Sequence, residues 1–248
     1  MSFTEHLEEL RSRLIRVLII LVVGFFVCYS YGDKIADFLL IPLREAVGDS
    51  GKIVYQGVLD KVLAQFQLAF WSAVILTAPL WFYQIWKFIE PGLYEKESKV
   101  IRPFIFVGFV FFVLGVLFGY YVVFPVTFTT LLDFGVQDIS PYLSFRDYII
   151  LASKVLVFLG IVFQLPNVML ILGFMDLVTK YSLREVRPYV YVGFSVISAI
   201  LTPPDIITMG GLWLPLVALY ELGILAVAAI VHPYLKRKYE DSSVPEKS

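Results

Sequence analysis

The chain has 248 residues, 59% apolar and 17% aromatic, with only 17% charged and a net charge of −1, and its mean hydropathy of +0.81 lies far above that of a soluble domain. The basic residues fall in separate clusters, which excludes a nucleic-acid-binding face, and a single cysteine, Cys28, excludes an internal disulfide or a thiolate metal cluster. With His6 and His232 at opposite ends and no nucleophile-elbow glycine pattern, an intramembrane enzyme has no residues to build on and no cofactor is expected. This is the composition of a polytopic membrane protein.

Residues 1–13 read as an amphipathic helix start at the membrane interface. Ser2 and Glu5 have capping-box spacing, Phe3, Leu7, Leu10 and Leu14 form one stripe, and Glu9, Arg11 and Arg13 face away from it. Glu5, Glu8 and Glu9 precede the first apolar run and no small-residue cleavage site follows, so the segment is expected to remain as an anchor and not as a signal peptide. From 14 to about 31 the chain is almost wholly apolar, long enough to cross ~30 Å of hydrocarbon. Residues 32–65 form an outer loop with short helical periodicity from Asp33 to Leu40, punctuated by Pro42 and by Gly48-Asp49-Ser50-Gly51, with a brief strand-like stretch from Lys52 to Tyr55. The second span covers 66–89, with a kink expected at Pro79 and an aromatic belt of Trp81, Tyr83 and Trp86 near its end.

Between two of the most apolar segments, Lys87 to Pro103 carries Lys87, Lys96, Lys99 and Arg102 together with Glu90, Glu95 and Glu97. Charges at a bilayer centre cost on the order of 2.5–3.5 kcal/mol each, so this loop, 90–103, is placed in water, on the cytoplasmic side by its cations. The third span, 104–128, aligns Gly108, Gly115 and Gly119 on one face, a pattern of close helix packing. An outer loop, 129–146, leads to a fourth span at 147–175, capped by Ser144 with Asp147. Residues 176–188 return to the cytoplasm with Lys180, Arg184 and Arg187. The fifth span, 189–201, is only about 20 Å long at ~1.5 Å per residue, and the sixth is placed at 212–231 after the outer turn 202–211. Both are expected to be short and to thin the bilayer locally. Fourteen Lys and Arg fall on the side of both termini and five on the other, with Lys154 inside span four. The fold expected is therefore a single all-α domain of six transmembrane helices, both termini cytoplasmic, forming a concave helical wall.

Polar side chains within spans are the next signal, because hydrocarbon penalises them: Gln65, Gln67, Gln84, Lys154, Gln164 and Glu221. For the amides the ordinary explanation is interhelical hydrogen bonding. Lys154 has the alternative of snorkelling. Glu221 needs a partner, water or protonation, and Gln164 and Glu221 are expected to face a wet groove. At the cytoplasmic surface Glu9 and Glu97 are two water-accessible carboxylates suited to a cationic peptide, above all to guanidinium groups that pair bidentately, with Leu93 and Tyr94 as an apolar platform beside them.

Several ordered motifs carry a family resemblance: His6-Leu7-Glu8-Glu9-Leu10-Arg11, then Phe88-Ile89-Glu90-Pro91-Gly92-Leu93-Tyr94 followed by Glu97, then Tyr121-Val122-Val123-Phe124-Pro125, then Arg187-Pro188-Tyr189 and Leu201-Thr202-Pro203-Pro204-Asp205. Over nearly its whole length the chain resembles TatC, the polytopic subunit of the twin-arginine protein translocase. The resemblance implies a non-enzymatic receptor in the cytoplasmic (inner) membrane. Such a receptor captures signal peptides bearing consecutive arginines on folded export substrates, self-associates, and assembles TatA- and TatB-like single-span partners using the proton-motive force. By motif position it assigns Glu9, Arg11, Phe88, Tyr94 and Glu97 to signal-peptide binding, and Pro42, Gln164, Thr202, Asp205 and Glu221 to partner binding or functional polarity. Two departures stand out. Many relatives carry a glutamate before the span-four proline where this chain has Gln164-Leu165-Pro166, and Met209 occupies a place that is polar in some relatives. The competing reading from the intramembrane polar residues alone is an ion-coupled small-solute transporter, although the absence of an internal repeat removes the inverted-repeat layout from support.

Overall fold

The computed structural model describes residues 3–48, 52–89, 98–133, 142–202 and 205–234. The loop carrying Tyr94 and Glu97, the Pro203-Pro204 pair and Ser2 of the expected capping box lie outside these residues. The described chain is helical apart from two three-residue strands. It divides into two compact units, residues 1–161 and 162–248.

The first unit begins with α1 (Phe3–Ser30), one uninterrupted helix. The amphipathic start and the first span are thus continuous, because neither glycine nor proline occurs within residues 3–23. After α2 (Gly32–Val47) and strand β1 (Lys52–Val54), the second span is made of α3 (Asp60–Leu76) and α4 (Ala78–Ile89), bent by 57° at Thr77. The kink expected at Pro79 is therefore a break: Pro79 sits at the second position of α4, where a missing N–H is harmless. Span three is α5 (Ser98–Phe118), a π-turn over Gly119–Val123 and α6 (Phe124–Asp133). Strand β2 (Tyr142–Ser144) then pairs in parallel with β1 in register Lys52↔Tyr142, and α7 (Phe145–Val162) follows. As expected, the Asp147 N–H donates to Ser144 Oγ, at 3.3 Å.

α1 packs along α3 and α4, and its small residues permit close approach. A Cβ on Gly24 would stand 2.6 Å from the Thr77 methyl, and Cys28, Ala69 and Ala73 form a buried seam there with Phe25 and Ile35 against it. Between helices in lipid the gain comes from such van der Waals fit and not from hydrophobic expulsion. The outward faces of α1 expose Leu14, Leu18, Val22 and Phe26, apolar surface that a bilayer covers.

In the second unit α8 (Leu165–Phe174) is followed by α9 (Lys180–Glu185), α10 (Arg187–Leu201) and α11 (Ile206–Ala226). A second π-turn over Val227–Val231 continues α11. α10 is the short helix expected, 15 residues or about 22 Å. The sixth is not short: its apolar stretch runs Thr208–Tyr234, 27 residues. Gly210 and Gly211 do not end it, since Asp205 caps the helix upstream of them, and Pro215 is absorbed within it. The length deficit is confined to α10. Four long apolar helices, the bent α3–α4 pair and α10 together give the six spans expected.

The strand-bearing end of the first unit is organised by Asp60, 9% exposed, which the sequence reading passed over. Its carboxylate accepts the backbone N–H groups of Gln56 (3.1 Å) and Gly57 (2.6 Å) and pairs with Arg146 on α7 at 3.2 Å. One side chain thereby ties the β1–α3 turn to the start of α7. Asp60→Ala leaves two backbone donors without their acceptor, an expected loss of about 1–3 kcal/mol. Hydrogen exchange should show faster exchange at the Gln56 and Gly57 amides while α1 and α4 remain protected.

Candidate functional site

Gly24 of α1 stands against Thr77, the bend of α3–α4, and Gly32 against Gln65. α3 therefore runs antiparallel to α1, and α4 continues from the bend towards the end of α1 that carries Glu9 and Arg11. Arg11 is exposed on that end, and Phe88 is half-buried in the last turn of α4. Tyr94 and Glu97 lie outside the described residues. Glu9 is not open. Its Oε1 accepts Arg13 Nε at 3.0 Å and pairs with Arg13 Nη2, an i,i+4 pair with side chains only 21% and 14% exposed. Glu9 Oε2 and Arg13 Nη1 are buried without a hydrogen-bond partner among the described residues. The carboxylate expected to meet a foreign guanidinium already holds one of the chain's own.

Pro42 lies buried within α2. Proline supplies no N–H to the carbonyl four residues back, here that of Phe38. That carbonyl instead accepts the Tyr120 hydroxyl at 2.7 Å, and the Tyr120 ring stacks on Phe38 with centroids 4.5 Å apart and planes 6° apart. The neighbouring Leu39 carbonyl accepts the Tyr148 hydroxyl. Tyr120 comes from the π-turn, where the Phe124 N–H reaches back to the Gly119 carbonyl. That turn widens because Pro125 cannot serve the Tyr121 carbonyl. The Tyr121–Pro125 motif and Pro42 thus belong to one hydrogen-bonding arrangement.

Gln164, 9% exposed, accepts Asn167 Nδ2 at 3.5 Å, and its carbonyl takes the Val168 N–H as α8 begins. Its burial corrects the expectation that it faces a wet groove. Thr202 is buried at the end of α10 and donates its hydroxyl to the Ser198 carbonyl at 2.8 Å. Asp205 caps α11, accepting the Thr208 N–H at 3.0 Å and the Thr208 hydroxyl at 2.7 Å. Both residues fix the α10–α11 turn. Glu221, 31% exposed, has both oxygens engaged: Arg187 Nη2 donates to Oε2 and the Tyr191 hydroxyl to Oε1, each at 2.5 Å. Trp213 Nε1 donates to the Tyr191 carbonyl at 3.0 Å, so α10 and α11 are cross-linked through Tyr191. Lys154 is exposed on α7, in keeping with snorkelling.

Arg13, Asp60, Tyr120, Tyr148, Arg146 and Asn167 escaped sequence reasoning as functional or organising residues. Only Tyr120 left a signal, its position immediately before the Tyr121–Pro125 motif.

These features define a multi-pass α-helical membrane protein whose intramembrane carboxylate is neutralised from within the chain. Comparison narrows the class. The family model for the Sec-independent protein translocase protein (TatC) matches residues 5–215, and the chain belongs to the TatC family. It is 37% identical over 223 residues to the protein named Sec-independent protein translocase protein TatC from Desulforapulum autotrophicum, covering 90% of this chain and 83% of that one. The protein of the same name from Helicobacter pylori J99 is 34% identical over 236 residues, covering 95% and 92%. Two crystal structures of "Twin Arginine Translocase Receptor- TatC", one of them in DDM, superpose with TM-scores of 0.79 and 0.80 at 30% and 31% identity, covering 90% and 89% of this chain and 98% of each.

The proline compensation is testable by a double-mutant cycle. Tyr120→Phe is expected to destabilise the detergent-solubilised chain by about 1 kcal/mol, the scale of intramembrane hydrogen bonds. In a Pro42→Ala background, where residue 42 regains its N–H for the Phe38 carbonyl, thermal unfolding should show less than half of that loss.

Proposed function

We propose that the protein is the signal-peptide receptor of a twin-arginine translocase, set in the cytoplasmic membrane with both termini in the cytoplasm. The observation that carries this reading is family membership over residues 5–215 together with the likeness to structures solved as the twin-arginine translocase receptor. In this reading the loop carrying Tyr94 and Glu97, with Arg11 and Phe88 beside it, receives the paired arginines of an export signal. Glu97 is the principal carboxylate. Leu93 and Tyr94 supply apolar contact, and charge-assisted bidentate pairing accounts for a preference for arginine over lysine. TatA- and TatB-like single-span proteins dock along the last two helices, in the region of Thr202 and Glu221, and the proton-motive force drives transport of folded cargo. No chemical bond is made or broken by the chain.

Glu9 has a conditional part in this scheme. Arg13 occupies the place a substrate guanidinium would take, so Glu9 becomes available only when Arg13 swings away. The solute-transporter reading loses its motive, because Glu221 is held by Arg187 and Tyr191 and Gln164 is buried beside Asn167.

Crosslinking from a photoreactive residue placed within 90–97 to a peptide carrying paired arginines tests the reading. Strong crosslinks with arginines and weak ones with lysines are expected, and equal yields overturn it. Glu97→Gln is expected to weaken capture of the arginine peptide about 10- to 100-fold at low salt, the weight of one charge-assisted contact of about 1.5–3 kcal/mol. Arg13→Gln, by freeing Glu9, should raise capture, whereas Glu9→Gln should lower it. Binding isotherms of the two variants distinguish a competing Arg13 from one that serves only to hold α1 together.

A further inference from the structure

Within the first unit, α2, α3, α5 and α7 leave a cleft of about 320 Å³ between them, at the lower end of the range of ligand pockets. Its walls are almost wholly apolar, including Phe38, Leu68, Leu76 and Leu156, and Lys34 stands among its lining residues. We propose that this cleft binds one acyl chain of an anionic phospholipid, with the lipid phosphate held by the Lys34 ammonium.

Three observations carry the assignment. The first is depth. Gly32 stands against Gln65, so Lys34, half a turn further on, lies towards the Asp60 end of α3, while Leu76 lines the cleft at the far end of the same helix. The lining of that helix runs from Leu68 to Leu76, eight residues or about 12 Å at ~1.5 Å per residue, against a half-thickness of about 15 Å for the hydrocarbon core. The cleft therefore fits within the depth of one leaflet.

The second is charge. The Lys34 ammonium lies over the Tyr31 ring, 5.6 Å from its centroid, and no ion pair engages it among the described residues. The acids next to it in α2, Asp33 and Asp37, line a different, polar cavity that also contains Arg44 and Lys61, and Asp37 is paired with Arg44 at 3.1 Å. A lysine on the lining of an apolar cleft, with a tyrosine ring beside it just past the end of α1, suits an anionic headgroup.

The third is an unfulfilled hydroxyl. Ser153 lines the cleft, is 3% exposed, and its Oγ has no hydrogen-bond partner among the described residues. Several helical hydroxyls bond back to the carbonyl four residues earlier, as Thr77 does to Ala73, Ser195 to Tyr191 and Thr202 to Ser198, whereas Ser153, like Thr127 and Ser198, does not, and of these three it alone lines the cleft. Ser153 and the half-buried Ser72 are both on the lining of the cleft. A glycerophospholipid brings the acceptor this hydroxyl lacks, an ester carbonyl between headgroup and chain.

The test uses the full chain purified in mild detergent and equilibrated with equimolar phosphatidylglycerol and phosphatidylcholine, the retained lipid being counted by native mass spectrometry. The expected result is one tightly retained phosphatidylglycerol in at least fivefold excess over phosphatidylcholine. Lys34→Gln should reduce that excess at least fivefold, and Lys154→Gln, which removes an exposed lysine of α7 outside the cleft, should leave it unchanged. Ser153→Leu, filling the cleft, should abolish retention of both lipids. Lys34→Gln alters only an exposed side chain, so its result stands even if Ser153→Leu does not fold. Equal retention of the two lipids, or equal loss with Lys34→Gln and Lys154→Gln, overturns the proposal and leaves an unselective annular lipid. Displacement of phosphatidylglycerol by the apolar segment of a twin-arginine peptide at one-to-one stoichiometry also overturns it, assigning the cleft to peptide.

Discussion

Inside a bilayer there is no water to satisfy a backbone carbonyl, so every hydrogen bond a helix loses must be replaced by the chain itself. This protein places prolines repeatedly in its helices, and several meet that constraint in a recognisable way. Pro79, Pro166 and Pro188 stand at the second position of a new helix, where no N–H is missed. Pro125 and Pro233 each follow by two residues a π-turn, over Gly119–Val123 and Val227–Val231, in which the bonding has shifted to the fifth residue. Pro42 is compensated from outside its helix by Tyr120, with Tyr148 on the adjoining carbonyl. The bends and turns that give the first unit its form follow from these replacements.

Much of the fold was legible because the bilayer imposes length and polarity on each segment. The spans, the break near Pro79, the Ser144 cap and the close packing at Gly119 could be read from spacing alone. A Cβ on Gly119 would meet Leu156 and Leu159 at 2.9 Å. What could not be read is equally specific. Gly210, Gly211 and Pro215 suggest a late start for the sixth helix, but the Asp205–Thr208 cap begins it upstream. A local side-chain bond overrode weak propensity. Asp60 and Arg146 are 86 residues apart in sequence, and nothing in either neighbourhood announces the pair. Of the candidate site, the charge types and their motif positions were legible. Their internal partners were not, because pairing depends on which helix faces lie together.

Those partners change how the charged residues are to be understood. Glu9 with Arg13 and Glu221 with Arg187 repeat one solution at two places: a half-buried carboxylate held by a guanidinium of the same chain. Removing one member of a half-buried pair strands the other in poor solvent, so these side chains carry structure whatever else they do. Gln164 avoids the problem by being neutral, its amide lying beside Asn167.

The short parallel pairing of Lys52–Val54 with Tyr142–Ser144, braced by Asp60 and Arg146, has a consequence for biogenesis. The strands are separated by the whole of the second and third spans, so the ladder has no partner while the nascent polypeptide is shorter than Ser144. The loop holding β1 must wait at the membrane surface until two further segments have been threaded. Its closure is then a late event in synthesis that records the arrival of the first three spans in their proper order.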